Sequence, residues 1–161
     1  MAKTEPKRKR VRAKPGDIVE IETPKGLAYA QFTHRHNEYG QLIRVFPGFH
    51  DQRTDDLAEI VRGEEQFMTF VALDACIKDG LLAIAGHEEV PETKRAFPLF
   101  RGNAGRKAHE VVPNWWLWDG EQSWYVGELT EEQRHYPIKS IANPALIVIR
   151  LMNGWKAEWF G

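Results

Sequence analysis

The sequence predicts an α+β fold that is mainly β, and three observations predict it. Lys14 to Phe46 reads as three antiparallel strands joined by two tight turns, and Trp115 to Val126 reads as a tryptophan-rich hairpin around Asp119-Gly120. The helical signals are short and capped, as in Asn143-Pro144 before an aliphatic run. At 161 residues and 42% hydrophobic, the chain is long enough for one core, so residues 15–161 are expected to form a single globular domain behind a basic tail, residues 1–14.

Pro15-Gly16-Asp17 opens the meander. Ile18 to Glu22 then turns Val19 and Ile21 to one face and Glu20 and Glu22 to the other. Thr23-Pro24-Lys25-Gly26 is a turn in which proline presets φ and glycine follows it. Leu27 to Phe32 returns, Asn37 to Gly40 turns again, and Leu42 to Phe46 runs until Pro47-Gly48 stops it. Ile21, Tyr29 and Val45 are expected to share one buried cluster. Such a meander is also compatible with an SH3-like or partial barrel.

Beyond the meander, Thr54-Asp55-Asp56 is placed to cap a short helix through Leu57 and Ile60. Phe67 to Val71 reads as a fourth strand, with Phe67, Thr69 and Val71 on one face. Leu73 to Lys78 reads as a helix ended by Asp79-Gly80. Leu81 to Ala85 is continuously apolar, which predicts a buried strand leading into the acidic loop Glu88-Glu89-Val90-Pro91-Glu92. Residues 93–113, broken by Pro98, Gly102 and Gly105, are expected to make a long surface excursion. Thr130 and Gln133 have capping-box spacing, and Tyr136-Pro137 ends the helix they would start. Trp155 and Trp159 are expected to cover the edge of the core.

Charge is unevenly distributed. Residues 1–14 hold seven basic residues and one acid, so of 22 basic and 23 acidic residues the body keeps 15 and 22, a formal −7. That balance disfavours nucleic acid as the ligand of the folded part, because affinity there comes largely from phosphate neutralisation, and it favours a basic partner. The tail has too little to bury and is expected to be disordered, acting as a solubilising arm or a nucleic-acid patch. One cysteine, Cys76, excludes an internal disulfide and fits a reducing compartment; with no apolar stretch approaching a membrane span and no secretory h-region, the cytoplasm is the expected location.

Chemistry-bearing patterns are incomplete. His34 and His36 would share a strand face, with His50-Asp51 as further donors, but histidines beside a polar turn are more often solvated than metal-bound. His87-Glu88 and His109-Glu110 each lack the second histidine of a zinc-hydrolase helix. Gly102-Asn103-Ala104-Gly105-Arg106-Lys107 lacks both the spacing and the closing Lys-Ser/Thr of a phosphate loop. Cys76 between Ala75 and Ile77 reads as a small buried hydrophobe. No constellation commits the chain to catalysis, and no cofactor or metal is expected.

Gly16-Asp17-Ile18, then Gly26-x-Ala28-Tyr29-Ala30-Gln31-Phe32, then Arg44-Val45-Phe46 resemble the Immunity protein 26 family of bacterial polymorphic toxin systems, and Tyr136-Pro137 and Gly154-Trp155 agree with it. Pro47 departs from the acidic residue expected after Val-Phe in that pattern. The resemblance, over Pro15 to about Trp155, implies a mainly β fold, no enzymatic activity, and neutralisation of a cognate toxin. The −7 body suits a basic, nuclease-type toxin. Asp55, Asp56, Glu88 and Glu89, with Trp118 and Tyr125 on the hairpin, are the expected partner-binding residues. The alternative is an SH3-like nucleic-acid or ribosome-associated module that uses its basic tail.

Overall fold

The computed structural model describes residues 12–103 and 114–159. Asp17–Thr23 (β1), Gly26–His36 (β2) and Gly40–Val45 (β3) form the expected meander. Phe67–Val71 (β4) pairs with β3 and Ala83–His87 (β5) with β1, all antiparallel, in the order β4-β3-β2-β1-β5. Among the described residues β4 and β5 do not pair with each other, so the sheet stays open at these two edges.

Local chemistry explains the first turn. The Thr23 hydroxyl accepts the Lys25 N–H at 3.1 Å and donates to the Gly26 carbonyl at 2.7 Å. Gly26 sits at φ +125°, and a Cβ there would lie 2.6 Å from the His50 carbonyl oxygen. That oxygen is held in place by the Leu27 N–H at 2.7 Å, so the position admits only glycine.

The sheet is buried on both faces. On one, Val19, Ile21, Ala30, Ile43, Val45, Phe67 and Val71 pack against Leu73 and Cys76 of α2 (Leu73–Lys78) and Ile147 and Leu151 of α3 (Pro144–Met152). Each fully buried aliphatic side chain contributes about 1.5–3 kcal/mol, which makes this the main apolar core. On the other face, Ile18, Tyr29 and Phe46 lie under Val61 of α1 (Leu57–Arg62). Tyr29 therefore does not join Ile21 and Val45 as expected. It is the cross-strand partner of Glu20, and so shares the face that the sequence had left polar.

Further along this second face, Leu42 and Phe70 meet a second sheet of Phe100–Gly102 (β6), Trp115–Trp118 (β7) and Ser123–Gly127 (β8). The hairpin forms where Asp-Gly predicts it, with four residues rather than two in its loop: the Asp119 carboxylate accepts the N–H groups of Glu121 and Gln122 at 2.9 and 2.7 Å. Phe70, Phe97, Phe100, Trp118, Tyr39 and His36 make a continuous aromatic cluster with ring centroids 5.0–6.5 Å apart. The caps also form. Asn143 Oδ1 accepts the Leu146 N–H at 2.8 Å, and Thr130 and Gln133 exchange reciprocal bonds at 3.0 and 3.2 Å, although only one 3-10 turn, Gln133–His135, follows.

Several expectations are corrected. The apolar run after α2 gives an edge strand two residues later than expected, paired only with β1 among the described residues, and Leu81, which precedes it, is 59% exposed. Within 93–113, Phe100 and Arg101 are fully buried in β6, so that segment is not all surface. Ala13, assigned to the tail, is buried, its N–H on Asp74 Oδ1 at 2.8 Å and its carbonyl accepting from Arg35 at 2.7 Å. The rest of the tail, residues 1–11, and the 104–113 part of the excursion, with Ala104 to Lys107 and His109-Glu110, lie outside the described residues. No helix among the described residues is long and apolar enough to cross a membrane.

Candidate acidic cleft

The second face of the central sheet carries a polar network that decides how the surrounding loops lie. Arg44, 1% exposed, projects from β3 and donates to Gln31 Oε1, the carbonyls of Val61 and Gly63, and Glu65 Oε2, the last at 3.0 Å. The other Glu65 oxygen accepts from Lys94 at 2.8 Å, and the Gln31 amide donates to the Glu88 carbonyl at 2.9 Å. Burial pushes the Glu65 carboxyl up, but the Lys94 hydrogen bond, its own N–H and the Arg44 charge more than offset this and hold it below the ordinary range. One arginine thus fixes the end of α1, the approach to β4 and, through Gln31, the loop after β5.

The connection from β3 to α1 is fastened separately. His50 exchanges backbone hydrogen bonds with Leu27, the Tyr29 hydroxyl accepts the Thr54 N–H at 3.2 Å, and Arg53 forks onto Glu20 at 2.7 and 3.0 Å. The fork holds the Glu20 carboxyl below its usual range, whereas burial pushes the Tyr29 hydroxyl up. Between this connection and α1 lies a cleft of about 600 Å³. Phe46, Pro47, Phe49 and Ile60 give it an apolar floor, and Asp56, Glu59 and Glu64 give it an acidic rim. Asp56 and Glu59 stand three apart at the start of α1, the spacing that brings helical side chains together. Hydrogen bonding of the protonated form to Asp56, and then the charge of Asp56, raise the Glu59 carboxyl above the ordinary carboxylate range, against a smaller opposing pull from Arg62.

The six residues expected to bind a partner do not line one cleft. Asp55 and Asp56 are both exposed at the start of α1, and Asp56 belongs to the cleft. Glu88 is half-buried, with its backbone fastened to Gly16 and Gln31; Glu89 is exposed beside a separate hollow lined by His34, His87 and Arg95. Tyr125 is 57% exposed and packs edge-on against Trp116. Trp118 is a correction: at 6% exposure it is the hub of the aromatic cluster and cannot be an exposed anchor, because β6 and β4 bring Phe100 and Phe70 onto its ring. Glu59, Glu64 and the Arg44 network escaped the sequence reading. The i, i+3 pair Asp56 and Glu59 was the available signal.

The histidines beside the second turn are tied into the structure, not left to solvent. His36 Nδ1 accepts the N–H groups of Glu38 and Tyr39, which leaves Nε2–H to donate to the Gly120 carbonyl at 2.7 Å and join the meander to the hairpin loop. His34 Nε2 donates to the Arg95 carbonyl at 2.7 Å. Among the described residues no group of three or more His, Cys, Asp or Glu side chains is placed to hold a metal ion. Burial and the nearby Asp79 push the Cys76 thiol up, which leaves little thiolate for nucleophilic chemistry.

Comparison of the chain with protein-family models, with curated proteins and with solved structures finds no match.

Proposed function

We propose that this chain is a non-catalytic immunity protein that binds and neutralises a basic toxin, with the cleft beside α1 as the docking surface. The observation that carries the reading is that Asp56, Glu59 and Glu64 line the cleft together around an apolar floor, where a cationic side chain would meet three carboxylates. The acidic body, formally −7 from Pro15 onward, would steer a basic partner toward it. The resemblance of the meander motifs to the Immunity protein 26 family gives the partner its class. Asp55 extends the rim, and Glu88, Glu89 and Tyr125 would add outlying contacts.

The test is co-expression with the product of each gene that neighbours this chain's own, read as growth, with association kinetics of any pair in which the chain protects. Asp56→Lys with Glu59→Lys should abolish protection and slow association by about tenfold or more, with a weakened salt dependence, because steering charges act mainly on the on-rate. Protection and kinetics that match the wild type would reject the cleft. If the chain instead binds single-stranded RNA in a way that collapses with salt and on deletion of residues 1–11, the nucleic-acid alternative is the right one.

A further inference from the structure

A second cleft, of about 450 Å³, opens on the three-stranded sheet away from the acidic rim. Its lining is Gly102, Asn103, Trp116, Trp118, Ser123 and Lys139. Three features give it a chemistry. The Lys139 ammonium lies 4.3 Å from the Trp118 ring centroid and 4.4 Å from that of Tyr39, and among the described residues no carboxylate oxygen comes within the 4.0 Å that would pair it. Its backbone is fixed, with the Lys139 N–H on the Arg101 carbonyl at 2.9 Å, as residues 137–139 run beside β6. The Asn103 side chain has both its amide nitrogen and its oxygen buried without a hydrogen-bond partner, a costly state that a ligand relieves once the side chain turns toward the cleft. Trp116, 39% exposed, supplies a ring surface, and at Gly102 a side chain would meet nothing within 4 Å, so the missing side chain leaves the room.

We infer that this cleft binds a small ligand that carries a flat ring and an anionic group, with the ring against Trp116, the anion on Lys139 and a polar ring edge on Asn103. The ammonium is already held over two aromatic faces and lacks only a counter-charge; an aromatic wall selects a planar ring over an aliphatic chain. An unpartnered amide, which both donates and accepts, reads a heteroatom-bearing edge. This site is independent of the acidic cleft, whose charge would repel such a ligand, so the two proposals stand or fall separately.

Calorimetric titration of the full chain with adenosine 5′-monophosphate and, separately, with indole-3-acetate tests the inference and distinguishes a nucleotide from an aromatic carboxylate as the source. Saturable binding of either is expected. Gly102→Val should abolish it with a little-changed melting temperature, because a Cβ at this position meets nothing within 4 Å and the strand favours a β-branched residue. Lys139→Gln should weaken it by at least about tenfold through loss of a charge-assisted bond, and Asn103→Leu should weaken the nucleotide more than the indole acid. Absence of binding by both ligands overturns the inference. So does binding that survives Gly102→Val and Lys139→Gln, or that is matched by inorganic phosphate alone.

Discussion

Glu59 and Glu65 stand six residues apart in the same short stretch, yet their environments push them in opposite directions. Glu65 is drawn below the ordinary range, because Arg44 and Lys94 grip its two oxygens from opposite sides. Glu59 is exposed, and hydrogen bonding to Asp56 together with the Asp56 charge holds it above that range. A charge that is buried and paired specifies the fold, whereas one left crowded at the surface is available to a partner. The hairpin repeats the contrast without charge: Trp118 is enclosed by aromatic rings, while Tyr125 on the neighbouring strand faces solvent over Trp116.

Breaking the enclosed member of each pair should cost most. Trp118→Ala is expected to lose about 3–5 kcal/mol in urea denaturation, since it empties a site shared by Phe70, Phe97 and Phe100. Glu65→Ala should lose about 3 kcal/mol, because Arg44 would remain buried with carbonyls but no carboxylate. If Glu65→Ala costs nothing, the network is incidental and the contrast with Glu59 has no energetic content.

Acid sharpens the comparison. A carboxyl whose folded pKa is depressed stabilises the fold above its unfolded value, and that contribution disappears as pH falls through the folded value. Wild-type stability should therefore fall steeply below about pH 4.3, the ordinary glutamate value, and Glu65→Gln should flatten that fall. For Glu59 the sign reverses: a raised pKa marks a penalty present when the group is ionised and removed by protonation. Asp56→Asn with Glu59→Gln should thus leave the melting temperature unchanged or slightly higher at neutral pH, with any difference from the wild type closing in acid. The smallest effect is expected for Tyr125→Ala, whose melting temperature should match the wild type while any partner contact through it is lost.

Turns, caps and strand signals depend on residues close in sequence, so the order of elements was legible: the meander, β4, α2, the Asp-Gly hairpin, and α3 behind Asn143 form at or near their expected bounds. Their local hydrogen bonds need no distant partner. The faces were another matter. Gln31 and Arg44 alternate with apolar residues, a pattern that does not by itself bury the polar members, yet both are buried, because Glu65, two carbonyls at the end of α1 and the Glu88 carbonyl arrive from elsewhere in the chain to satisfy them.

Arg101 follows the same logic. It is fully buried, its guanidinium donates to the carbonyls of Tyr136 and Ala157 and lies 4.8 Å from the Trp115 ring, and nothing near it in sequence announces that. Burying a cation is costly unless its donors are met, and only the folded arrangement brings those acceptors to it. The sequence by itself therefore determined the class of fold, the order of its elements and the acidity of its body. The tertiary structure alone decided which face each strand buries, that Trp118 is core while Tyr125 is not, and which acids remain free to meet a partner, because each of these depends on what distant segments bring into contact.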